Sequence, residues 1–144
     1  MRKAIAALLI GGLVLALGTA PATAKKKRTK KGSVAVQALP FPVTGNAMEG
    51  GCLNGVEGAH KHSEPFTTPG AGVLTVDLSA FEGDWDLHVT DASGTVLASS
   101  TAGQPVAPPG EQVVVALAAR QEIAMVACNW AGGPSATLNW AFVY

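Results

Sequence analysis

Acidic side chains crowd one short segment of the sequence. Asp84 and Asp86 flank Trp85, so in a β-strand both carboxylates project from the same face. Carboxylate oxygens are the ligands that Ca²⁺ takes in proteins, which makes the pair a candidate calcium site. The alternative is that these acids, with Glu82 and Asp91, cap turns and keep an exposed strand edge soluble. We predict the structural role and retain Asp84 and Asp86 as candidate metal ligands.

A second candidate metal site combines two histidines with a glutamate. His60, His62 and Glu64 alternate along the chain and would share one side of a strand. Neutral imidazoles and a carboxylate can hold Zn²⁺ or Cu²⁺. The competing interpretation, which we favour, is an exposed polar strand that also carries Lys61. We therefore predict that the protein has no cofactor. Ca²⁺ and Zn²⁺ are the two candidate ions to test.

The sequence shows no catalytic machinery. Its serines lack the context of a nucleophile elbow, and no glycine-rich phosphate loop occurs. Three histidines and many serines make chance pairs easy, because a catalytic triad is recognised by geometry and not by composition. We predict that the chain has no catalytic residues and is not an enzyme.

The two cysteines suggest one disulfide. Cys52 and Cys128 lie near the two ends of the folded region and are the only thiols. In an exported chain an even number of cysteines normally indicates pairing. Closing so long a loop would contribute about 4 kcal/mol in the chain-entropy model. A metal site at these two positions is not favoured, since neither cysteine has a second ligand at CxxC spacing.

One tryptophan is a candidate ligand contact. Trp85 and Trp140 fall on strand faces that we expect to be in the core. Trp130 instead follows Cys128 and Asn129 and precedes a glycine-rich turn, so we expect it to be exposed near a loop. Its ring could then bind a sugar or a peptide.

The N-terminal residues have the pattern of a secretory signal. Arg2 and Lys3 precede an unbroken apolar run, Ala4–Leu17, and Ala22-Thr23-Ala24 supplies small residues where a signal peptidase reads. We predict a signal peptide at residues 1–24 that forms a helix and is cleaved after Ala24. An uncleaved anchor is the alternative, because the apolar run is only slightly short for a bilayer. The six basic residues that follow would resist translocation and, if they stayed inside, would leave the rest of the chain in the cytoplasm. The two cysteines argue against this, so we predict a location outside the cytoplasm, secreted or at the bacterial cell surface.

Charge is distributed unevenly along the chain. From Ser33 onward the sequence contains two basic and ten acidic residues, which gives this region a net charge of −8. The segment 25–32 is strongly basic, and we predict a disordered linker there. It could bind an anionic surface, whereas nucleic acid is not favoured because no aromatic residue interleaves for base stacking. The basic residues of this segment are Lys25, Lys26, Lys27, Arg28, Lys30 and Lys31.

The remaining residues, 33–144, alternate between strand-like runs and turns. Leu74, Val76 and Leu78 share one strand face. The runs 113–117 and 123–128 are continuously apolar, as in strands that are buried on both faces or central in a sheet. We count about eight strands with turn signals about every 10 residues. This pattern predicts one all-β domain, a β-sandwich or jelly roll.

Part of this domain resembles a known family. Phe66 to Val76, with its proline-glycine turn, is followed by Gly83 to Val89 and by Asp91-Ala92-Ser93-Gly94. In that order these segments are similar to the bacterial pre-peptidase C-terminal (PPC-like) domain. The resemblance implies a small secreted β-sandwich, usually an appendage of a secreted enzyme. The pair Cys52 and Cys128 is not part of the family pattern, and no peptidase domain is present.

Together these features predict a secreted, non-enzymatic β-sandwich that serves as a binding or accessory module. Its partner would be an extracellular polymer or protein. The alternative is a secreted metal-binding protein that uses the His60, His62 and Glu64 strand.

Overall fold

A computed structural model describes residues 26–42, 51–101 and 110–144, together with the backbone but not the side chain of Cys52. The predicted signal peptide, 1–24, lies outside these residues, as does Lys25. The described part contains eight strands and one short 3₁₀ helix, Gly51–Asn54, and no helix in it is long and apolar enough to span a membrane. The strands are β1 Thr29–Gln37, β2 Lys61–Thr67, β3 Gly72–Ser79, β4 Gly83–Asp91, β5 Val96–Ser100, β6 Glu111–Leu117, β7 Glu122–Gly132 and β8 Ser135–Val143.

The strands form two four-stranded antiparallel sheets. The first sheet has the order β1-β8-β3-β6, and the second has the order β2-β7-β4-β5. The two sheets enclose one apolar core, so the chain folds as a β-sandwich and the predicted fold class is confirmed at that level.

Strand alternation determines which residues enter the core. On β3, in the first sheet, the fully buried residues are Leu74, Val76 and Leu78. On β4, in the second sheet, they are Trp85 and Leu87. The residues between them point away from the core, as a period of two requires. The predicted core faces of β3 and β4 are therefore confirmed.

The first strand begins earlier than the sequence indicated. Thr29 pairs with Val143 in an antiparallel ladder with β8, and the Arg28 amide donates to the Tyr144 carbonyl at 2.7 Å. The prediction of a disordered linker over 25–32 is therefore wrong for residues 29–32. Hydrogen bonding to β8 outweighs the low strand propensity of lysine, and lysine is well tolerated on an edge strand because it opposes edge-to-edge aggregation.

The apolar runs 113–117 and 123–128 form strands β6 and β7, which occupy different positions in their sheets. Strand β7 is central in the second sheet, and both its core-facing Met125 and its outward Val126 and Cys128 are buried, as predicted. Strand β6 is the edge of the first sheet, where Val114 is 60% exposed. The prediction that β6 is buried on both faces or central in a sheet is wrong, because an apolar run alone does not distinguish a central strand from an edge strand.

Candidate functional site

The outer face of β4 carries a row of titratable side chains. Since Trp85 and Leu87 point into the core, Asp84, Asp86 and His88 lie on the opposite face. Asp86 is directly opposite Cys128 of β7. One carboxylate oxygen of Asp86, one ring nitrogen of His88 and the Cys128 sulfur all lie within 4.8 Å of one another. We refer to these three residues as the Asp-His-Cys group.

Burial controls the electrostatics of this group. His88 is 8% exposed, and burial lowers the pKa of its imidazole, so the ring is neutral near neutral pH. Burial also raises the pKa of Asp86 to about 6, with further contributions from the negative charges of Asp84 and Glu111. Nδ1 of His88 and Oδ1 of Asp84 are buried and have no hydrogen-bond partner.

A cleft adjoins the group on the solvent side. It is lined by Gly51, Asp84, Asp86, Thr101 and Trp130, has a volume of about 250 Å³, and is called the acidic cleft below. The cleft brings the two candidate calcium ligands, Asp84 and Asp86, together with the candidate contact residue Trp130, which lies more than 40 positions further along the sequence. Only the register between β4 and β7 places them side by side.

Trp130 is half-buried, where the sequence had indicated an exposed side chain. Its ring stacks on Phe41 with centroids 5.8 Å apart and planes 18° from parallel. Phe41 follows β1 in the chain and packs with Cys128 on the outside of the second sheet. The indole is therefore held in position while it lines the acidic cleft.

Asn129 fixes the end of β7 next to Trp130. Its side chain is fully buried, and its Nδ2 donates to the carbonyls of Ala38 and Gly133, both at 2.9 Å. Its Oδ1 accepts from the Gly132 amide at 2.7 Å. The Asn129 side chain therefore links the segment after β1 to the turn that follows β7. Nothing in the local sequence indicated the first of these contacts, because Ala38 lies 91 positions away in the chain.

The 3₁₀ helix lies against β7, the strand that contains Cys128. This helix, Gly51–Asn54, contacts β7, and the Lys61 ammonium donates to the Leu53 carbonyl. Cys128 is fully buried and is not a free thiol. The side chain of Cys52, in the same helix, lies outside the described residues.

The ligand atoms of the candidate trio, His60, His62 and Glu64, do not all lie within 4.8 Å of one another. His62 and Glu64 share one side of β2, with Nε2 and Oε2 3.6 Å apart. His60 precedes the strand, and its ring meets Phe41 edge-on with centroids 5.8 Å apart. Within the described ranges, the Asp-His-Cys group is the one set of three such ligands in mutual reach. The predicted alternation of side chains along one strand does not include His60, because β2 begins at Lys61.

Asp91 has the turn-capping role that the sequence predicted. Its Oδ1 accepts from the Ser93 amide at 2.8 Å, the Ser93 hydroxyl at 2.6 Å and the Thr95 amide at 2.9 Å. These hydrogen bonds, from the Ser93 side chain first, lower the pKa of Asp91. The Asp91 carboxylate therefore shapes the β4–β5 hairpin.

One acidic residue was missed by sequence reasoning. Glu111 begins β6 and is 1% exposed. Its Oε2 accepts from the Ser100 hydroxyl, while Oε1 has no hydrogen-bond partner. Its charge contributes to the raised pKa of Asp86. A glutamate at the start of a strand normally suggests an exposed position, so no sequence signal distinguished it.

The described basic residues near the N-terminus are all exposed. Lys30 and Lys31 lie on β1, the edge of the first sheet, and the others directly precede it. The edge of the sandwich therefore presents a row of positive charge. These residues are Lys26, Lys27, Arg28, Lys30 and Lys31.

Comparisons with known proteins add no assignment. No protein-family model matches the sequence, and no curated protein matches it. A β-sandwich hosts many unrelated functions, so the fold alone does not indicate one. The function must therefore be argued from the acidic cleft and its surroundings.

Proposed function

We propose that this chain is an exported, non-enzymatic binding module and that the acidic cleft is its ligand site. One observation carries the proposal: the half-buried indole of Trp130 and the carboxylates of Asp84 and Asp86 line the same cleft. An aromatic ring supplies stacking area, and carboxylates accept hydrogen bonds from hydroxyl or ammonium groups.

The size and charge of the cleft restrict the ligand. A volume of about 250 Å³ is below the ~300–1,000 Å³ that is typical of sites for whole small molecules. This favours one protruding unit of a polymer, such as a sugar ring or a side chain. Two carboxylates repel anionic groups and attract ammonium, which Trp130 can also contact through its π face. The proposed ligand is therefore a neutral or amine-bearing extracellular polymer, or a basic protein surface.

We also propose that Cys52 and Cys128 form a disulfide. Cys128 is not a free thiol, and Cys52 is the other cysteine of the sequence. The 3₁₀ helix that contains Cys52 contacts β7, which contains Cys128. The bridge would fasten the wall of the acidic cleft at Gly51 to the second sheet.

The proposed location is extracellular. The signal pattern of residues 1–24 and the proposed disulfide both support export, and the resemblance to PPC-like domains supports an accessory role. The exposed basic residues of β1 and its preceding segment suit an anionic wall polymer or lipid surface. The module would then rest on an anionic surface through its basic edge and present the acidic cleft of the other sheet to its ligand.

Binding measurements with matched variants test this function. The mature chain is titrated with a neutral polysaccharide, an amine-bearing polysaccharide, a basic protein and an anionic polymer. At least one of the first three should bind, with a loss of tenfold or more in Trp130→Ala and in Asp84→Asn/Asp86→Asn. The control is Asp77→Asn, which removes an acid from the first sheet and should bind normally.

Two outcomes would count against the proposal. Failure of all three favoured ligands to bind would remove the support for a binding module. Binding that persists in both cleft variants would place the ligand elsewhere. Stoichiometric metal that is lost in His62→Ala would instead favour the alternative metal-binding function at His60, His62 and Glu64.

A further inference from the structure

We propose that Asp86, His88 and Cys128 form a site for a zinc-like divalent metal ion when Cys128 is a thiolate. The site lies behind the acidic cleft and is distinct from the predicted trio at His60, His62 and Glu64. Since Cys128 is not a free thiol in the folded chain, the site would be controlled by the redox state of this sulfur.

The geometry provides three ligand atoms at one place. Asp86 and His88 lie two residues apart on the outer face of β4, and Cys128 faces Asp86 across the β4–β7 ladder. Their ligand atoms lie within 4.8 Å of one another. Atoms around a tetrahedral Zn²⁺ at ~2.0–2.3 Å lie under ~4 Å apart, so small side-chain rotations bring the three into coordination distance.

The donor set is that of a transition metal. Thiolate sulfur and imidazole nitrogen are ligands for Zn²⁺ and its neighbours, whereas Ca²⁺ and Mg²⁺ prefer oxygen alone. A thiolate and a carboxylate would balance the two positive charges of the ion, which removes much of the cost of burying it. Three protein ligands leave a fourth position for water.

His88 is the observation that points to a ligand. Its side chain is 8% exposed, yet Nδ1 makes no hydrogen bond. A buried polar atom without a partner costs about 1–3 kcal/mol, and a metal ion coordinated by the ring would remove or offset this cost. Asp86 is a member of the group and also lines the acidic cleft, so the cleft gives an ion access to the site. The nearby charges of Asp84 and Glu111, which act on Asp86, would attract a cation there.

The metal and the disulfide exclude each other. A disulfide sulfur carries no negative charge and is a poor ligand compared with a thiolate. A dithiol reductant would transfer two electrons to the S–S bond, giving two thiols and the cyclic disulfide of the reductant. The metal ion would then bind Cys128 and displace its thiol proton to solvent.

Cobalt(II) provides a spectroscopic test that does not depend on the proposed binding function. Cys52→Ser leaves Cys128 as a thiol, and adding Co²⁺ should produce a sulfur-to-cobalt charge-transfer band at one ion per chain. Zn²⁺ should abolish the band by competition. Adding His88→Asn or Asp86→Asn to Cys52→Ser should weaken Co²⁺ binding tenfold or more, and adding Cys128→Ser should remove the band.

Matched controls separate the site from other histidines and from unfolding. His62→Asn in the Cys52→Ser background should leave the band unchanged. The wild-type chain should show the band after treatment with a dithiol reductant and not before, with circular dichroism confirming the β-sheet spectrum in each state. A folded Cys52→Ser chain without the band would overturn the proposal. Loss of the fold in both Cys52→Ser and the reduced wild-type chain would also overturn it, since the site would then have no scaffold.

Discussion

The indole of Trp130 stacks on the ring of Phe41 with the two centroids 5.8 Å apart. This contact joins the segment after β1 to the C-terminal part of β7, outside the main core. It also fixes one wall of the acidic cleft, because Trp130 lines that cleft. The proposed ligand site therefore depends on a small apolar cluster that is separate from the space between the two sheets.

Phe41→Ala should weaken both the fold and the cleft. Phe41 is 8% exposed, and truncating a buried phenylalanine costs about 3 kcal/mol. Without its stacking partner, Trp130 should gain mobility, which would appear as a red-shifted and quenched contribution to tryptophan fluorescence. Urea unfolding measures the stability change. Phe41→Leu is the matched control and should lose less than half as much, and equal losses in the two variants would show that the aromatic stack has no special role.

Asn129→Ala should be strongly destabilising although it removes few atoms. The change leaves the Gly132 amide and the Ala38 carbonyl without their side-chain partner. It also removes one of the two donors to the Gly133 carbonyl, the other being the Trp85 indole. An unsatisfied buried polar group costs about 1–3 kcal/mol, so a loss of about 3 kcal/mol is expected in urea unfolding. Asn139→Ala on β8 is the control and should change stability by less than about 1 kcal/mol. Similar small effects at both positions would contradict the role given to Asn129.

Asp91 should make stability depend on acidic pH. Hydrogen bonds lower its pKa in the folded chain, so its contribution is present above the ordinary aspartate pKa and is lost as the pH falls through the folded value. Asp91→Asn removes that titration. The difference in thermal midpoint between the wild-type chain and the variant should be largest near neutral pH and should shrink in acid. A difference that grows on acidification would contradict the assignment.

Gly32→Ala tests the position of β1 in the sheet. A Cβ atom at Gly32 would lie 2.7 Å from the indole of Trp140, too close for contact without displacement of the ring. Such overpacking costs about 1–3 kcal/mol, and thermal unfolding would measure it. Ser33→Ala, exposed on the same strand, should be nearly neutral. If residue 32 belonged to a disordered linker, the two substitutions would have the same small effect.

Sequence patterns correctly predicted the features that depend mainly on neighbouring residues, namely the buried strand faces and the fold class. The alternation of Leu74, Val76 and Leu78 reported a strand with one buried face, and the fold class followed from several such strands. The lysines at positions 30 and 31 suggested disorder, because strand propensity does not include the ladder that β8 supplies.

The candidate site depended on information that the sequence does not display. Asp86 and Cys128 meet because β4 and β7 pair in one register, and a shift of one residue would reverse which side chains share a face. Trp130 was recognised as a candidate contact, but its partner Phe41 lies about 90 residues away. The acids and the tryptophan could therefore be named from the sequence as separate candidates, whereas the cleft that unites them required the sheet pairing.

The three indole N–H signals of a two-dimensional ¹H–¹⁵N NMR spectrum test ligand binding at the acidic cleft most directly. The chain is titrated with a short oligomer of whichever neutral or amine-bearing polymer it binds. The Trp130 signal should shift progressively with ligand concentration, while the signal of Trp85, whose indole donates to the Gly133 carbonyl inside the fold, should stay in place. Saturable binding that leaves the Trp130 signal unmoved would contradict the account.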